Sequence, residues 1–324
     1  IGDNIFIASG ISMYNNRLYM PPLAVRTSYE GYYKDSSRFL EINNFTGFAQ
    51  GIIKAAGLNF TLGGRFDYIN TFGGSFVPRI GVTKATDFWH GKIMIAQAFR
   101  IPGGIIPERK RVGADDIIPE TAVNFEAELG FKITGNSWIT INGFHTMLNN
   151  VIVYDTDASG TGYYENRGKI GTTGFELNYQ LAFENFRGGL TYSFYTALED
   201  SAYTYKVQEE PNFFLGFAKH KLNIHTSFKI KENIWINGSA RILGERYSFL
   251  TGNDTNHFLV KNPGQAILNA NLRLNNFLLQ NMNFTFGINN ITGTKVEFLA
   301  PYKSKHGSLP SHSASVFGSL SYNF

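Results

Sequence analysis

The chain has 324 residues, no cysteine and a formal charge of +4, so disulfides and thiolate metal sites are excluded, and the Lys and Arg are scattered with no nucleic-acid patch. Charged residues make up 17% of the chain, against about 25% in soluble domains, while aromatics reach 15% and glycines number 34. No run approaches the ~18 apolar residues of a membrane-spanning helix, and alternating transmembrane strands average to a near-neutral mean hydropathy such as the −0.16 found here.

Taken in chain order, Ile1-Gly2-Asp3 carries no basic segment ahead of an apolar one, so a secretion signal, if used, is expected upstream of this sequence. A first strand is expected near Ile5, followed by an irregular stretch over 16–41. From Leu58 the period becomes two: Leu58, Phe60, Leu62, Gly64 and Phe66 alternate with Asn59, Thr61, Gly63, Arg65 and Asp67. The same pattern returns with Phe125, Ala127, Leu129, Phe131 and Ile133 against Asn124, Glu126, Glu128, Gly130 and Lys132. It recurs from Phe175 against Glu176, from Leu222 against Lys221, and from Leu268 against Arg273. A helix would distribute these residues all round its axis, so the pattern predicts strands.

The last strand sets Val316, Gly318, Leu320, Tyr322 and Phe324 against Ser315, Ser319, Ser321 and Asn323. About fourteen strands are counted, each of roughly ten residues, which suits a tilted bilayer crossing better than a soluble sandwich. Tight turns are expected around residues 54–57, 84–87, 134–137, 184–186, 231–233 and 275–276. Longer stretches are expected at 101–119, 155–162, 199–217, 250–263 and 299–312. That asymmetry marks outer-membrane barrels, with short periplasmic turns and long outer loops. The fold expected is an all-β transmembrane antiparallel barrel occupying 1–324 as one partial domain, in the bacterial outer membrane.

A cation on the lipid face near the midplane costs about 2–4 kcal/mol. The faces bearing Arg65, Asp67, Glu126, Glu128, Glu176, Arg241 and Arg273 are therefore expected to line a water-filled lumen. Trp89, Trp138, Trp235, Tyr154, Tyr179, Tyr192, Tyr247 and Tyr322 are expected in interfacial belts. No nucleophile elbow, zinc-protease helix or phosphate loop occurs, so no catalytic residue, metal or cofactor is assigned. His90, His145, His220 and His225 are read as wall residues, and His257, His306 and His312 as loop residues.

Several segments, in collinear order, resemble the barrel of a TonB-dependent receptor. They are Phe48-Ala49-Gln50 with Gly64-Arg65-Phe66-Asp67-Tyr68, Pro78-Arg79-Ile80-Gly81-Val82 and Ala98-Phe99-Arg100-Ile101-Pro102. Pro119-Glu120-Thr121-Ala122-Val123-Asn124-Phe125-Glu126, Tyr164-Glu165-Asn166-Arg167-Gly168-Lys169, Thr173-Gly174-Phe175-Glu176, Ile288-Asn289-Asn290-Ile291-Thr292 and the closing Phe324 continue the series. The chain departs from the family pattern at Ile101, where Ala is usual, and at Thr292, where an acid is usual.

The resemblance implies a 22-stranded parent of which this is the C-terminal part, with a plug domain and a TonB-binding box lying elsewhere. It also implies uptake of a ferric siderophore, a cobalamin or another chelate, with TonB, the plug and membrane lipid as partners and no nucleic acid. For an anionic chelate, the candidate contacts are Arg100, Arg109, Lys110, Arg111, Tyr163, Tyr164, Tyr203, Tyr205, His257 and His306. Haem uptake is disfavoured because 103–118 holds no histidine. Two other readings stand beside this one: a self-contained 14-stranded porin or outer-membrane enzyme, closed between the strand near Ile5 and the one ending at Phe324, and a soluble secreted β-rich binding protein.

Overall fold

Alternating apolar and polar side chains can all be partnered only if successive residues point to opposite faces, and the backbone is extended accordingly. The computed structural model describes residues 4–19, 39–103, 115–156, 162–198, 205–251, 257–300 and 308–323. The strands run β1 Ile5–Tyr19, β2 Phe39–Ala55, β3 Leu58–Ile69, β4 Gly73–Ala85, β5 Trp89–Arg100, β6 Glu120–Thr134 and β7 Ser137–Asn149. A short hairpin, β8 Ile152–Thr156 with β9 Gly162–Asn166, precedes β10 Lys169–Ala182, β11 Phe186–Ala197, β12 His220–Lys231 and β13 Ile234–Leu243. A second hairpin, β14 Arg246–Thr251 with β15 His257–Asn262, leads to β16 Gln265–Leu274 and β17 Met282–Asn289. A third, β18 Glu297–Phe298 with β19 Leu309–Pro310, leads to β20 Ser315–Tyr322.

Fourteen of these strands form one antiparallel meander, in the order β1-β2-β3-β4-β5-β6-β7-β10-β11-β12-β13-β16-β17-β20. The three short hairpins lie outside it, all within connections at the same end of the sheet. β1 and β20 are its two edges and do not pair with each other. The alternative of a self-contained 14-stranded porin is therefore corrected, since closure required a β1–β20 ladder. An unclosed edge leaves backbone groups unpaired, which hydrocarbon does not tolerate.

One end of the sheet has short turns. Ala56 and Gly57, both at positive φ, link β2 to β3 in the two-residue turn whose twist matches a hairpin. Thr86 ties the β4–β5 turn, its hydroxyl accepting from the amides of Phe88 and Trp89. The opposite end carries the long connections, with one exception. Residues 70–72 join β3 to β4 in three residues, just ahead of the Gly73-Gly74 pair.

Register extends the alternation across the sheet. One row reads Phe60–Val82–Ile93–Ala127–Gly143–Phe175–Phe194, each opposite the next, and is apolar. The neighbouring row on the other face reads Thr83–Lys92–Glu128–Asn142–Glu176–Ser193–Lys221, and is polar. Phe60, Leu62, Ile93, Leu129 and Phe228 stand exposed on the apolar face. Buried apolar clusters occur instead near the long-loop end. Ile42 and Ile69 pack with Phe72, Phe99 and Ile101, and Val207, Phe213, Leu215 and Tyr247 pack with Phe249 and Leu259. The wall is thus a sheet without a core of its own, and the connections above it carry the packing.

Gly174, in the middle of β10, is held at close quarters. A Cβ there would meet the Phe194 carbonyl oxygen, the Phe144 ring at 2.7 Å and the Tyr195 Cα at 2.9 Å. Two of these are backbone atoms, which cannot swing away. Gly174→Ala is expected to lower stability by about 2–3 kcal/mol, read as the urea midpoint of unfolding. Gly47→Ala, where nothing lies within 4 Å, is expected to leave it unchanged. Equal midpoints for the two variants would show that this packing is not limiting.

Candidate functional site

At the long-loop end, polar-face residues of five consecutive strands converge beneath the β11–β12 connection. Arg100 of β5, Glu120 of β6, Leu148 of β7, Thr172 of β10 and Tyr195 of β11 line a cleft of about 520 Å³. Tyr205, Phe214, Leu215 and Phe217 of the connection, with Val151 and Ile152, complete its wall. The segment is fixed by main-chain bonds: Leu215 N donates to Tyr205 O at 2.9 Å and Gly216 N to Tyr247 O at 2.7 Å. Gly216 takes φ +80°, a conformation that suits glycine. The Tyr195 and Phe214 rings stack at 6.3 Å, and the Tyr195 hydroxyl donates to Phe217 O at 3.3 Å.

The cleft has one strong electrostatic feature. Glu120, 4% exposed, accepts from Arg100 Nε at 2.6 Å and from the amide of Ile152 at 2.7 Å. The Arg100 side chain remains 71% exposed, so its outer donors face the opening while its charge is matched from below. The arrangement offers aromatic surface with one guanidinium held in place by Glu120, suited to a planar or aromatic solute that also carries an acceptor.

Of the other candidate contacts, Tyr163 and Tyr164 sit on β9, opposite Asp155 and Tyr154, and do not line this cleft. Their hairpin is anchored by Asn166, which accepts from Ile118 N at 2.8 Å and donates to the carbonyls of Ile118 and Asn150. Arg167 beside it pairs with Asp155 at 2.9 Å and with Glu165. Burial pulls the Arg167 pKa down, but these carboxylates hold it above the ordinary value. His257 begins β15, and only its backbone is described. Arg109, Lys110, Arg111, Tyr203 and His306 lie outside the described residues.

Sequence reasoning missed Glu120, Tyr195, Phe214 and Phe217. A signal was present in the run Phe213-Phe214-Leu215, unusually apolar for the long irregular stretch expected at 199–217.

Arg65, Asp67, Glu126, Glu128, Glu176, Arg241 and Arg273 occupy the polar face, and most are tied to neighbours. Lys92 Nζ bonds Glu126 at 2.9 Å and lies 3.8 Å from Glu128, which His90 contacts at 3.0 Å. Asn124 donates to Glu126 at 2.6 Å and accepts from Thr146 at 2.6 Å, so a polar ladder crosses β5, β6 and β7. Arg241 donates to Asn223 and Arg273 to Asn275.

Asp67 corrects one expectation. It is fully buried and not open to water: Arg65 donates to it at 2.6 and 2.7 Å, Thr46 at 2.6 Å and Asn44 at 3.4 Å.

The expected belts are corrected in part. Trp138 stacks on His90 at 5.2 Å, and Trp235 receives Arg187 at 5.8 Å, both on the polar face near the short turns. Tyr247 is buried in the hairpin cluster above the sheet. Trp89, Tyr179, Tyr192 and Tyr322 stand in register with apolar-face residues. His145, by contrast, lies on the apolar face, hydrogen-bonded to Thr173 at 2.7 Å.

The family model described as "TonB dependent receptor-like, beta-barrel" matches residues 2–291. No curated protein matches the chain. Among solved structures, the siderophore receptor PirA of Acinetobacter baumannii superposes with a TM-score of 0.78 at 18% identity, over 99% of this chain and 52% of PirA. A mutant of the ferric enterobactin receptor PfeA of Pseudomonas aeruginosa gives 0.76 at 16%, over 99% and 51%. The FrpB iron transporter of Neisseria meningitidis gives 0.71 at 14%, over 99% and 52%. The chain spans about half the length of these proteins, and the likeness at such identity is one of fold.

Proposed function

Since the chain belongs to the TonB-dependent receptor-like β-barrel family, we propose that it forms part of the wall of an outer-membrane receptor that imports a scarce nutrient as a chelate, driven through TonB. The substrate class proposed is a ferric siderophore, a cobalamin or a similar chelate. The family is one of transporters and not of enzymes. Its barrels cross the outer membrane with many strands, so the apolar face meets lipid and the short turns face the periplasm. The polar face, with Arg65, Glu126, Glu128, Glu176, Arg241 and Arg273, then lines the lumen, where it meets water and the plug domain of the whole protein.

The observation that carries this reading is the aromatic cleft closed by Arg100 and Glu120 on the lumen face at the outer end. Tyr205 shares its wall with Arg100. Arg109, Lys110, Arg111, Tyr163, Tyr164, Tyr203, His257 and His306 are proposed as further contacts in the surrounding loops, where cations and aromatics suit an anionic chelate.

The test is equilibrium binding of ferric chelates by the full-length receptor. Arg100→Ala and Tyr205→Ala are each expected to weaken the bound chelate about tenfold, in line with the loss of one charged hydrogen bond or one aromatic contact. Unchanged affinity for every chelate that the receptor binds would remove the cleft from the transport path.

A further inference from the structure

The apolar face is not evenly filled. Two open cavities of about 490 and 530 Å³ share Val82, Ile93, Ala127 and Gly143, so they form one furrow across β4 to β7. Its floor is low because Gly91, Ala127 and Gly143 carry little or no side chain, and Ile80, Phe125, Leu129 and Phe175 make its walls. At the short-turn end it finishes at Lys84, whose ammonium lies 5.7 Å over the Trp89 ring. No carboxylate pairs with Lys84 among the described residues.

From Trp89 to Ile95 the furrow follows about six residues of strand, roughly 20 Å. At a tilt of about 45° that is a depth of roughly 14 Å, or half of the ~30 Å hydrocarbon core. The furrow therefore has the depth of one leaflet, and it is the periplasmic one.

We propose that this furrow holds one acyl chain of an anionic phospholipid of the periplasmic leaflet, with Lys84 on its phosphate and Trp89 at the glycerol level. The headgroup is anionic because Lys84 supplies a positive charge that no carboxylate among the described residues cancels. A zwitterionic headgroup would bring its own cation to the same place. One lysine near a membrane surface gives a preference of about fivefold.

The experiment uses the full-length receptor in phosphatidylcholine vesicles doped with phosphatidylglycerol or phosphatidylcholine brominated on its acyl chains. The Trp89 signal is taken as the difference from Trp89→Phe, while Trp138 and Trp235 face away from the lipid. Brominated phosphatidylglycerol is expected to quench Trp89 at about one-fifth of the mole fraction that brominated phosphatidylcholine requires. Lys84→Gln should abolish the difference. Gly143→Leu should reduce quenching by both lipids, and its Cβ has room, with only Ala127 O at 3.9 Å. Equal quenching by the two lipids in the unmodified receptor, or a preference that survives Lys84→Gln, overturns the proposal. Trp89 shielded from both lipids would show a protein neighbour in the furrow and would also overturn it.

Discussion

Replacing Phe175 by Arg is expected to prevent the barrel from reaching its folded, heat-modifiable form, while Glu176→Arg, one residue along, leaves it intact. Phe175 sits near the middle of β10 on the apolar face, its ring 5.8 Å from Tyr192 and 5.7 Å from Phe194. A cation at the bilayer midplane costs about 2–4 kcal/mol. Losing two ring contacts adds about 0.5–1.5 kcal/mol each, which together is a large part of the stability of most folded domains. Glu176 is exposed on the opposite face, where a change of charge is expected to stay within about 0.5 kcal/mol. The comparison is read from urea midpoints and from the gel shift of unheated against heated receptor in membranes. Similar losses for the two variants would mean that the faces have been assigned the wrong way round.

The second large effect lies in the buried acid of β3. Asp67 is wholly buried, and the Arg65 side chain is 51% exposed, so the two partners are not equivalent. Arg65→Ala strands a carboxylate with only Thr46 and Asn44 as donors, and is expected to cost about 3–5 kcal/mol. Asp67→Ala frees a guanidinium that water can solvate, leaving two neutral donors unmatched, and is expected to cost about 2–3 kcal/mol. The double variant should cost clearly less than the sum. Urea midpoints of the four proteins close the cycle; additive costs, or Asp67→Ala costing more than Arg65→Ala, would show that the pair does not act as a buried unit.

Much of the wall was legible in the sequence because period two leaves little freedom: once Leu62 faces out, Ile80, Ile95 and Phe125 must follow in register. Residue type misled where it disagreed with parity. Trp138 shares parity with Thr140 and Asn142, and His145 with Ile139 and Ile141, yet chemistry suggested the reverse for the tryptophan. The 70–72 turn is marked in the sequence only by Asn70 and by the Gly73-Gly74 pair that follows it. The cleft was the least legible part. Its floor takes one residue from each of five neighbouring strands, and the β11–β12 connection gains order from the β14–β15 hairpin, a partner that no local pattern announces.

If the wall belongs to a receptor as proposed, the three-residue β3–β4 turn shapes its rim. Phe72, like Phe99 and Ile101, packs against Ile42 and Ile69, its amide donates to Ile69 O at 3.0 Å, and the Asn70 amide donates to Asn43 O at 3.2 Å. The outer rim therefore has a low, stiff sill between β3 and β4, while the β7–β10 and β13–β16 connections rise as hairpins. Under the proposed transport, lips of such uneven height make entry directional: among the described residues the β3–β4 side is a threshold too short to fold down over a solute.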